Sequence, residues 1–124
     1  DANSILNAAA DLIRDSAGAV TLQVKAVDIG DWNMDATVSI TVAHGLTLSK
    51  IYGVGAVIRN DDDSGRYVIP ALGATPTNDL FFRAAAAIDA TNIPLQRLTG
   101  GAFDGVTFNA TSYNRGFLLI WHTP

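Results

Sequence analysis

Apolar and polar residues alternate along much of the chain, and a period of two is typical of β-strands that bury one face. The alternation is clear from Val20 to Lys25 and from Thr37 to Val42. In both segments we expect the valine, leucine and isoleucine side chains to face the core. The threonine, serine, glutamine and lysine side chains should then face solvent.

The segment from Lys50 to Arg59 is apolar on both faces, which predicts a strand at the centre of a sheet or against a neighbouring subunit. Gly53 and Gly55 fall on the same face of this strand and leave a shallow groove there. We expect a bulky side chain to fill the groove, either Trp32, Trp121 or a residue of a partner chain.

Turn residues divide the rest of the chain into short segments: a turn at Asn60–Gly65, a loop at Gly73–Asp79, and tight connections at Gly100-Gly101 and Asp104-Gly105. We interpret seven or eight of these segments as short strands, which predicts an all-β fold over residues 19–124. The fold is expected to be an antiparallel β-sandwich of about six to eight strands or a barrel. The alanines between residues 80 and 88 also permit a helix, but the two phenylalanines before them favour a strand. The further strands are predicted at Arg66–Ile69, Leu80–Ile88, Ile93–Leu98, Val106–Ala110 and Gly116–His122.

Residues 1–18 carry the helical pattern of the chain. Ile5, Ala9, Leu12 and Ile13 recur at helical spacing, which predicts a helix over Asn3–Asp15. This helix is either a neck that leads in from a preceding shaft or a helix that lies on the domain. The first residue is an aspartate, so we interpret the chain as a piece of a longer protein, with removal of a segment by processing as the alternative.

Composition adds a prediction about assembly. Only 16% of the 124 residues are charged and the mean hydropathy is +0.22, so apolar surface should be hidden in an oligomer. The net charge of −4 and the scattered basic residues argue against nucleic acid as a partner. The apolar runs are shorter than the roughly 20 residues that span a bilayer, so we expect no membrane insertion.

The chain offers few residues for catalysis. It contains no cysteine and no glutamate, and its two histidines, His44 and His122, stand apart. We interpret His44 as the cap of a turn and His122 as structural or at a subunit contact. We therefore expect no catalytic residue, no metal ion and no cofactor.

The run from Asn60 to Gly65 contains three consecutive aspartates and ends in glycine. Oxygen-rich loops of this kind can hold calcium, but the later glutamate of an EF-hand is missing. A solvated hairpin turn is the favoured interpretation and a calcium site the alternative.

Sugar-binding sites combine an aromatic plate with carboxylate, amide and guanidinium groups. Predicted loops supply such groups at Asn78, Asp79 and Asp104 and in two richer clusters. The candidate glycan-binding residues come from those two clusters: Arg59, Asp61, Asp63, Tyr113, Asn114 and Arg115.

Several motifs resemble the C-terminal receptor-binding domains of bacteriophage fibre proteins. They are Asp28–Asp35, Val42–Thr47, Ile51–Asp61 and Thr111–Trp121. The order of elements is also similar to that of H-type lectins, although the disulfide cysteines of those lectins are absent. The resemblance covers residues 28–121.

The resemblance implies a six-stranded antiparallel sandwich that forms a homotrimer, lies on a virion fibre outside the host cell and recognises host-surface glycan. It also implies a structural role for Trp32. The alternatives are a trimerisation or capping module of a fibre with no ligand of its own, and a glycan depolymerase.

Overall fold

A computed structural model describes residues 18–69, 80–82 and 87–124. Within these residues the regular structure consists of strands and two short 3-10 helices, at Leu48–Lys50 and Val106–Phe108, so the all-β prediction is confirmed for this part of the chain. No helix among these residues is long and apolar enough to cross a membrane. The strands are β1 (Gln23–Asp28), β2 (Ser39–Ala43), β3 (Ile51–Arg59), β4 (Arg66–Ile69), β5 (Leu80–Phe82), β6 (Asn92–Arg97) and β7 (Gly116–His122).

The strands form two antiparallel sheets, with the orders β1-β7-β3-β4 and β2-β6-β5. Strand β3 lies inside the four-stranded sheet between β7 and β4. All residues from Val54 to Ile58 are buried, so both faces of β3 are covered along this stretch. The predicted internal position of this strand is therefore confirmed.

One hydrophobic core draws on both sheets. Val54, Ile58 and Ile120 of the four-stranded sheet belong to the same buried cluster as Ile93 and Leu95 of the three-stranded sheet. Complete burial of side chains of this size contributes about 1.5–3 kcal/mol each relative to exposure. This shared core fixes the ends of β3 and β7, where the candidate site lies.

Trp32 and Met34 close the core below the loops at one end of the sheets. Trp32 is 2% exposed and its indole N–H donates to the Thr37 carbonyl at 2.9 Å, while Met34 is fully buried. The structural interpretation of Trp32 is confirmed, because its polar atom is satisfied within the protein and its ring is inside the core.

As predicted, a bulky side chain fills the groove over the two glycines of β3, and this side chain is that of Trp121. A Cβ atom added at Gly53 would lie 3.8 Å from the Trp121 ring, and one added at Gly55 would lie 3.5 Å from it. The pairing of β3 with β7 sets this arrangement, because Gly53 is directly opposite Trp121. Because Gly53 and Gly55 have no side chains, they leave room on this face for the large indole ring of Trp121.

The predicted orientation of β1 is wrong. Val24 and Leu22 are 54% and 39% exposed, whereas Val27 packs against the core and Lys25 is half-buried. The Lys25 ammonium donates to the His44 carbonyl at 2.9 Å. Alternation shows that the two faces of a strand differ, but it does not show which face meets the core.

The predicted strand at Val106–Ala110 is also wrong, since Val106–Phe108 forms a 3-10 helix. Phe108 is 4% exposed and packs edge-to-face against Phe103, with 5.0 Å between ring centroids. Its N–H donates to the Gly105 carbonyl, and its carbonyl accepts from Met34. Burial of this ring in an aromatic cluster overrides the local β propensity of Val-Thr-Phe.

Other boundaries shift or lie outside the described residues. The first strand begins at Gln23 rather than at residue 20. The predicted strand Leu80–Ile88 is present over Leu80–Phe82, and residues 87–88 have no regular structure. The predicted helix Asn3–Asp15 and the loop Gly73–Asp79 lie outside the described residues, as do residues 83–86.

Candidate ligand-binding site

Two loops meet at one end of the four-stranded sheet. Residues 60–65 form the turn between β3 and β4, and residues 109–115 lead into β7. Because β3 and β7 are paired, the end of one strand lies beside the start of the other, and the Arg59 N–H donates to the Arg115 carbonyl at 2.9 Å. The two sequence clusters with the candidate residues are thereby brought together.

Arg115 lies inside the protein beneath these loops. Its side chain is fully buried, and the guanidinium donates to the Trp32 carbonyl and the Arg59 carbonyl, each at 3.0 Å. It also donates to the Asp61 carboxylate at 2.9 Å and to the Ala110 carbonyl at 3.4 Å. A buried guanidinium with these partners positions the loops and presents no donor to solvent.

Asp61 links the two loops. Its carboxylate accepts from the N–H groups of Asn109 and Ala110, each at 3.1 Å, as well as from Arg115. Partial burial alone would raise the pKa of Asp61, but the Ala110 N–H, the Arg115 guanidinium and the Asn109 N–H outweigh it and hold the pKa below its usual value. The charged carboxylate therefore fastens the 109–115 loop to the β3–β4 turn.

Asp63 lies at the surface between two arginines. Its carboxylate accepts from Arg66 at 3.0 Å and from Arg59 at 3.3 Å. The hydrogen bond from Arg66, together with the charges of both arginines, lowers the pKa of Asp63. Its backbone φ is +53°, in the left-handed region, as a tight turn requires.

Tyr113 packs beside the two arginines of the candidate set. The Arg59 guanidinium carbon lies 4.3 Å from the centre of its ring, and that of Arg115 lies 5.0 Å from it. The Tyr113 hydroxyl donates to the Asn60 carbonyl. The ring therefore braces the β3–β4 turn and is half-buried.

Asn114 also connects distant parts of the chain. Its side-chain oxygen accepts from the Gly30 N–H at 2.8 Å, and its carbonyl accepts from the Arg59 side chain at 2.8 Å. Gly30 has a φ of +88°, so the turn after β1 is held at a position that suits glycine. Asn114 thus fixes the 109–115 loop against the turn after β1 and against Arg59.

A surface depression of about 270 Å³ opens on the β3–β4 turn beside this cluster. Small-molecule sites usually measure about 300–1,000 Å³, so this volume suits a single sugar ring better than a longer chain. Its lining offers hydroxyl, amide and carboxylate groups. The lining residues are Asn60, Asp61, Asp62, Ser64 and Thr107.

Four lining residues were not in the candidate set: Asn60, Asp62, Ser64 and Thr107. The Asn60 amide donates to the Ser64 hydroxyl at 3.0 Å, so these two side chains share one network. The turn composition of residues 60–65 signals Asn60 and Ser64. Thr107 carries no such signal, because the sequence places it on a strand and not beside the turn.

The remaining polar candidates lie elsewhere. Asp104 pairs with the buried Arg97 at 3.3 Å and accepts from the Gly100 N–H at 2.7 Å, so it stabilises the 98–105 connection. Asn78 and Asp79 lie outside the described residues.

The acidic turn directs its carboxylates to protein partners. Asp62 accepts from the Ser64 N–H at 3.1 Å, and hydrogen bonds from Ser64 lower the pKa of Asp62. Together with the partners of Asp61 and Asp63, this geometry is that of a hairpin turn. Within the described ranges, no group of three or more histidine or acidic residues is arranged to hold a metal ion.

Both histidines bind to the backbone. His44 is 1% exposed, and its Nδ1 accepts from the Leu46 N–H at 3.0 Å, which confirms its interpretation as a turn cap. Its Nε2 therefore carries the proton and donates to the Asp89 carbonyl at 2.9 Å. His122 donates from Nδ1 to the Thr123 carbonyl at 2.8 Å.

The groups that line the depression can accept hydrogen bonds from a polyhydroxylated ligand and donate hydrogen bonds to it. Asp61 and Asp62 line the depression, and an aspartate with an ordinary or lowered pKa is ionised at neutral pH, so both carboxylates are hydrogen-bond acceptors. Arg59 and Arg66 provide positive charge at the margin, where it is offset by Asp63.

Comparisons of the chain with protein-family models, with curated proteins and with solved structures found no match.

Proposed function

We propose that this chain is the non-catalytic, receptor-binding tip domain of a bacteriophage fibre, and that it recognises glycan on the host surface. In this proposal the two sheets pack as an H-type-lectin-like β-sandwich, and the chain acts as a homotrimer on the virion, outside the host cell. The sugar lies in the depression on the β3–β4 turn, with the 109–115 loop beside it.

The observation that carries this proposal is the convergence of the two loops. Arg59, Asp61 and Asp63 come together with Tyr113 and Asn114 across about fifty residues of sequence, next to a depression of sugar-ring size. The exposed lining groups Asp62, Ser64 and Thr107 are the ones available to hydroxyl groups of a ligand. The buried Arg115 serves to position them.

The second candidate is a structural module that trimerises or caps a fibre without a ligand. It is favoured by the degree to which the polar groups satisfy one another. Among the described residues, no buried side-chain nitrogen or oxygen lacks a hydrogen-bond partner. A polar cluster whose hydrogen bonds are all made within the protein can serve only to hold the two loops together.

Glycan-array binding by the purified chain separates these candidates. We expect binding to a defined glycan, and we expect Thr107→Ala to weaken it about threefold to tenfold, the effect of one hydroxyl hydrogen bond. Thr107 is exposed and lies on the depression, so the substitution leaves the core intact. Arg115→Ala is unsuitable here, because it would remove a buried group that holds the fold.

Thr41→Ala is the matched control. Thr41 is an exposed threonine on β2, in the other sheet, and its loss should leave binding unchanged. Binding that is equally weakened by both substitutions would contradict the proposed site. An absence of binding to all host polysaccharides, with an intact fold, would favour the structural module.

A further inference from the structure

The four-stranded sheet has a second apolar face on the side away from the core. The registers of β1, β7, β3 and β4 place residues in transverse rows, and alternate residues of each strand share a face. Leu118 and Ile120 of β7 are fully buried in the core, so Phe117, Leu119 and Trp121 lie on the opposite, outer face. The outer rows are Val24-Trp121-Gly53, Ala26-Leu119-Gly55 and Asp28-Phe117-Val57-Val68.

The two edges of this outer face are exposed in the single chain, whereas Gly55 and Val57 near its centre are already buried. Val24 at the β1 edge is 54% exposed and Val68 at the β4 edge is 72% exposed. Phe117, Leu119 and Trp121 between them are half-buried. Aromatic and aliphatic groups in adjacent rows of one sheet face are typical of a surface that another chain covers.

The two edges of this face carry opposite net charges: Arg66 pairs with Asp63, but Arg59 lies opposite Arg66 on the same face, so the β4 side keeps one positive charge. Asp28 lies at the end of β1, and Arg66 lies at the start of β4, on the same face by register. Both residues are exposed. If the β1 edge of one copy adjoins the β4 edge of the next, Asp28 meets Arg66 across the boundary. Head-to-tail contacts of this kind form a closed ring when the rotation between successive copies closes.

The width of the sheet suits a ring of three. Four strands about 4.8 Å apart give a face about 19 Å wide. Three such faces turned toward one axis form a triangle whose sides lie about 5.5 Å from that axis. Packed sheets are about 10 Å apart, so side chains reach about 5 Å from each sheet. The outer-face side chains would therefore fill the centre without a large void.

We infer that the outer face of the four-stranded sheet is the contact between copies of this chain, with Phe117, Leu119 and Trp121 turned toward a three-fold axis and Asp28 beside Arg66 of the next copy. This interface rests on the homotrimer of the proposed function. It places the glycan-binding loops at the same end of all three copies, where one host surface can engage them together.

Light scattering of the full chain and of three lysine variants tests this interface. The wild-type mass should be three times the 13.0 kDa of one chain. Val24→Lys and Val68→Lys each place a charge on the outer face and should weaken association at least tenfold, down to the mass of one chain. Val106→Lys is the control, because Val106 is also 72% exposed but lies on the 3-10 helix.

A wild-type mass of one or two chains would overturn the inference. So would a trimer that survives both outer-face substitutions, or one that is lost equally in Val106→Lys. Unfolding curves of each variant separate loss of association from loss of fold.

Cross-linking tests the order of the edges independently of these variants. The chain has no cysteine, so Asp28→Cys combined with Arg66→Cys introduces the only two thiols. A short bis-maleimide should then link three chains covalently, whereas either single substitution should yield no covalent trimer. Covalent dimers alone would overturn the head-to-tail ring.

Failure of the interface and failure of glycan binding remain distinguishable. Monomeric outer-face variants should retain single-site binding and lose the multivalent gain of about 10²–10⁴. A trimer that binds no glycan would leave this interface standing and refute the glycan-binding role.

Discussion

Among the glycines that the structure describes, Gly116 leaves the least room for a side chain. It directly follows the buried Arg115 at the start of β7, and its φ is +154°. A Cβ atom there would lie 1.9 Å from the Val57 carbonyl oxygen and 2.9 Å from the Val57 carbonyl carbon. The atoms it would strike belong to the backbone of β3 and cannot rotate away.

Gly116→Ala should therefore force β7 away from β3. Overpacking in a well-packed region costs about 1–3 kcal/mol and sometimes more, and backbone strain adds about 1–3 kcal/mol. We expect the free energy of unfolding to fall by about 3–5 kcal/mol, out of the 5–15 kcal/mol typical of a domain. At a urea dependence of about 1–3 kcal/mol per molar, the midpoint should fall by more than about 1 M.

Urea unfolding of Gly116→Ala beside Gly105→Ala measures this effect. Gly105 has an extended backbone, and an added Cβ meets nothing within 4 Å. Gly105→Ala should be neutral or stabilise the protein by about 0.4–1 kcal/mol, because it reduces the freedom of the unfolded chain. Equal midpoints for the two variants would refute the close approach of β7 and β3 at Gly116.

Three further outcomes follow from the polar contacts of the loops. Arg115→Met should destabilise by about 3–5 kcal/mol, because it leaves Asp61 and three carbonyl groups without their buried partner. Arg66→Met, at an exposed position, should have a much smaller effect; urea unfolding of both checks this, and equal costs would contradict the buried role of Arg115. The pKa of Asp61 is lowered on folding, so in acid the unfolded chain binds more protons than the folded chain, and the stability contributed by this carboxylate should be present above pH about 4 and lost as the pH falls through the folded pKa. Asp61→Asn should therefore make the unfolding midpoint less dependent on pH over that acidic range. An unchanged pH dependence in this variant would contradict the role of the carboxylate. His44→Ala should cost about 0.5–1.5 kcal/mol for each of the two hydrogen bonds that it removes, with the Leu46 N–H and with the Asp89 carbonyl, as measured by thermal unfolding. A total cost under about 0.5 kcal/mol, an ordinary surface effect, would contradict the cap.

The features that local patterns predict well are those with one physical solution. Two apolar faces on Ile51–Arg59 require cover on both sides, and the strand indeed lies inside a sheet. Two glycines on one face require a large neighbour, and Trp121 supplies it. The histidine before Gly45 caps its turn for a similarly local reason.

The orientation of β1 depended on information that its own residues do not carry. Val24 and Val27 are both apolar, and the strand could present either one to the core. The choice follows from pairing with β7, whose outer face is also apolar. An amphipathic pattern becomes ambiguous once the solvent side of a sheet is itself apolar.

The candidate site was predicted in its residue types but not in its roles. Sequence alone places Tyr113 to Arg115 in a polar loop, where arginine is usually exposed. Arg115 is buried because the carbonyl groups of Trp32 and Arg59 and the carboxylate of Asp61 surround it. These partners are more than fifty residues away, so no local signal reveals them.

Amide chemical shifts during titration with the best glycan from the array test the glycan-binding account most directly. We expect the shifts to concentrate at residues 60–65 and 106–115 and to saturate. Thr107→Ala should weaken the titration, and Thr41→Ala should not. Saturable shifts centred on the three-stranded sheet, or no shifts with any host glycan, would contradict it.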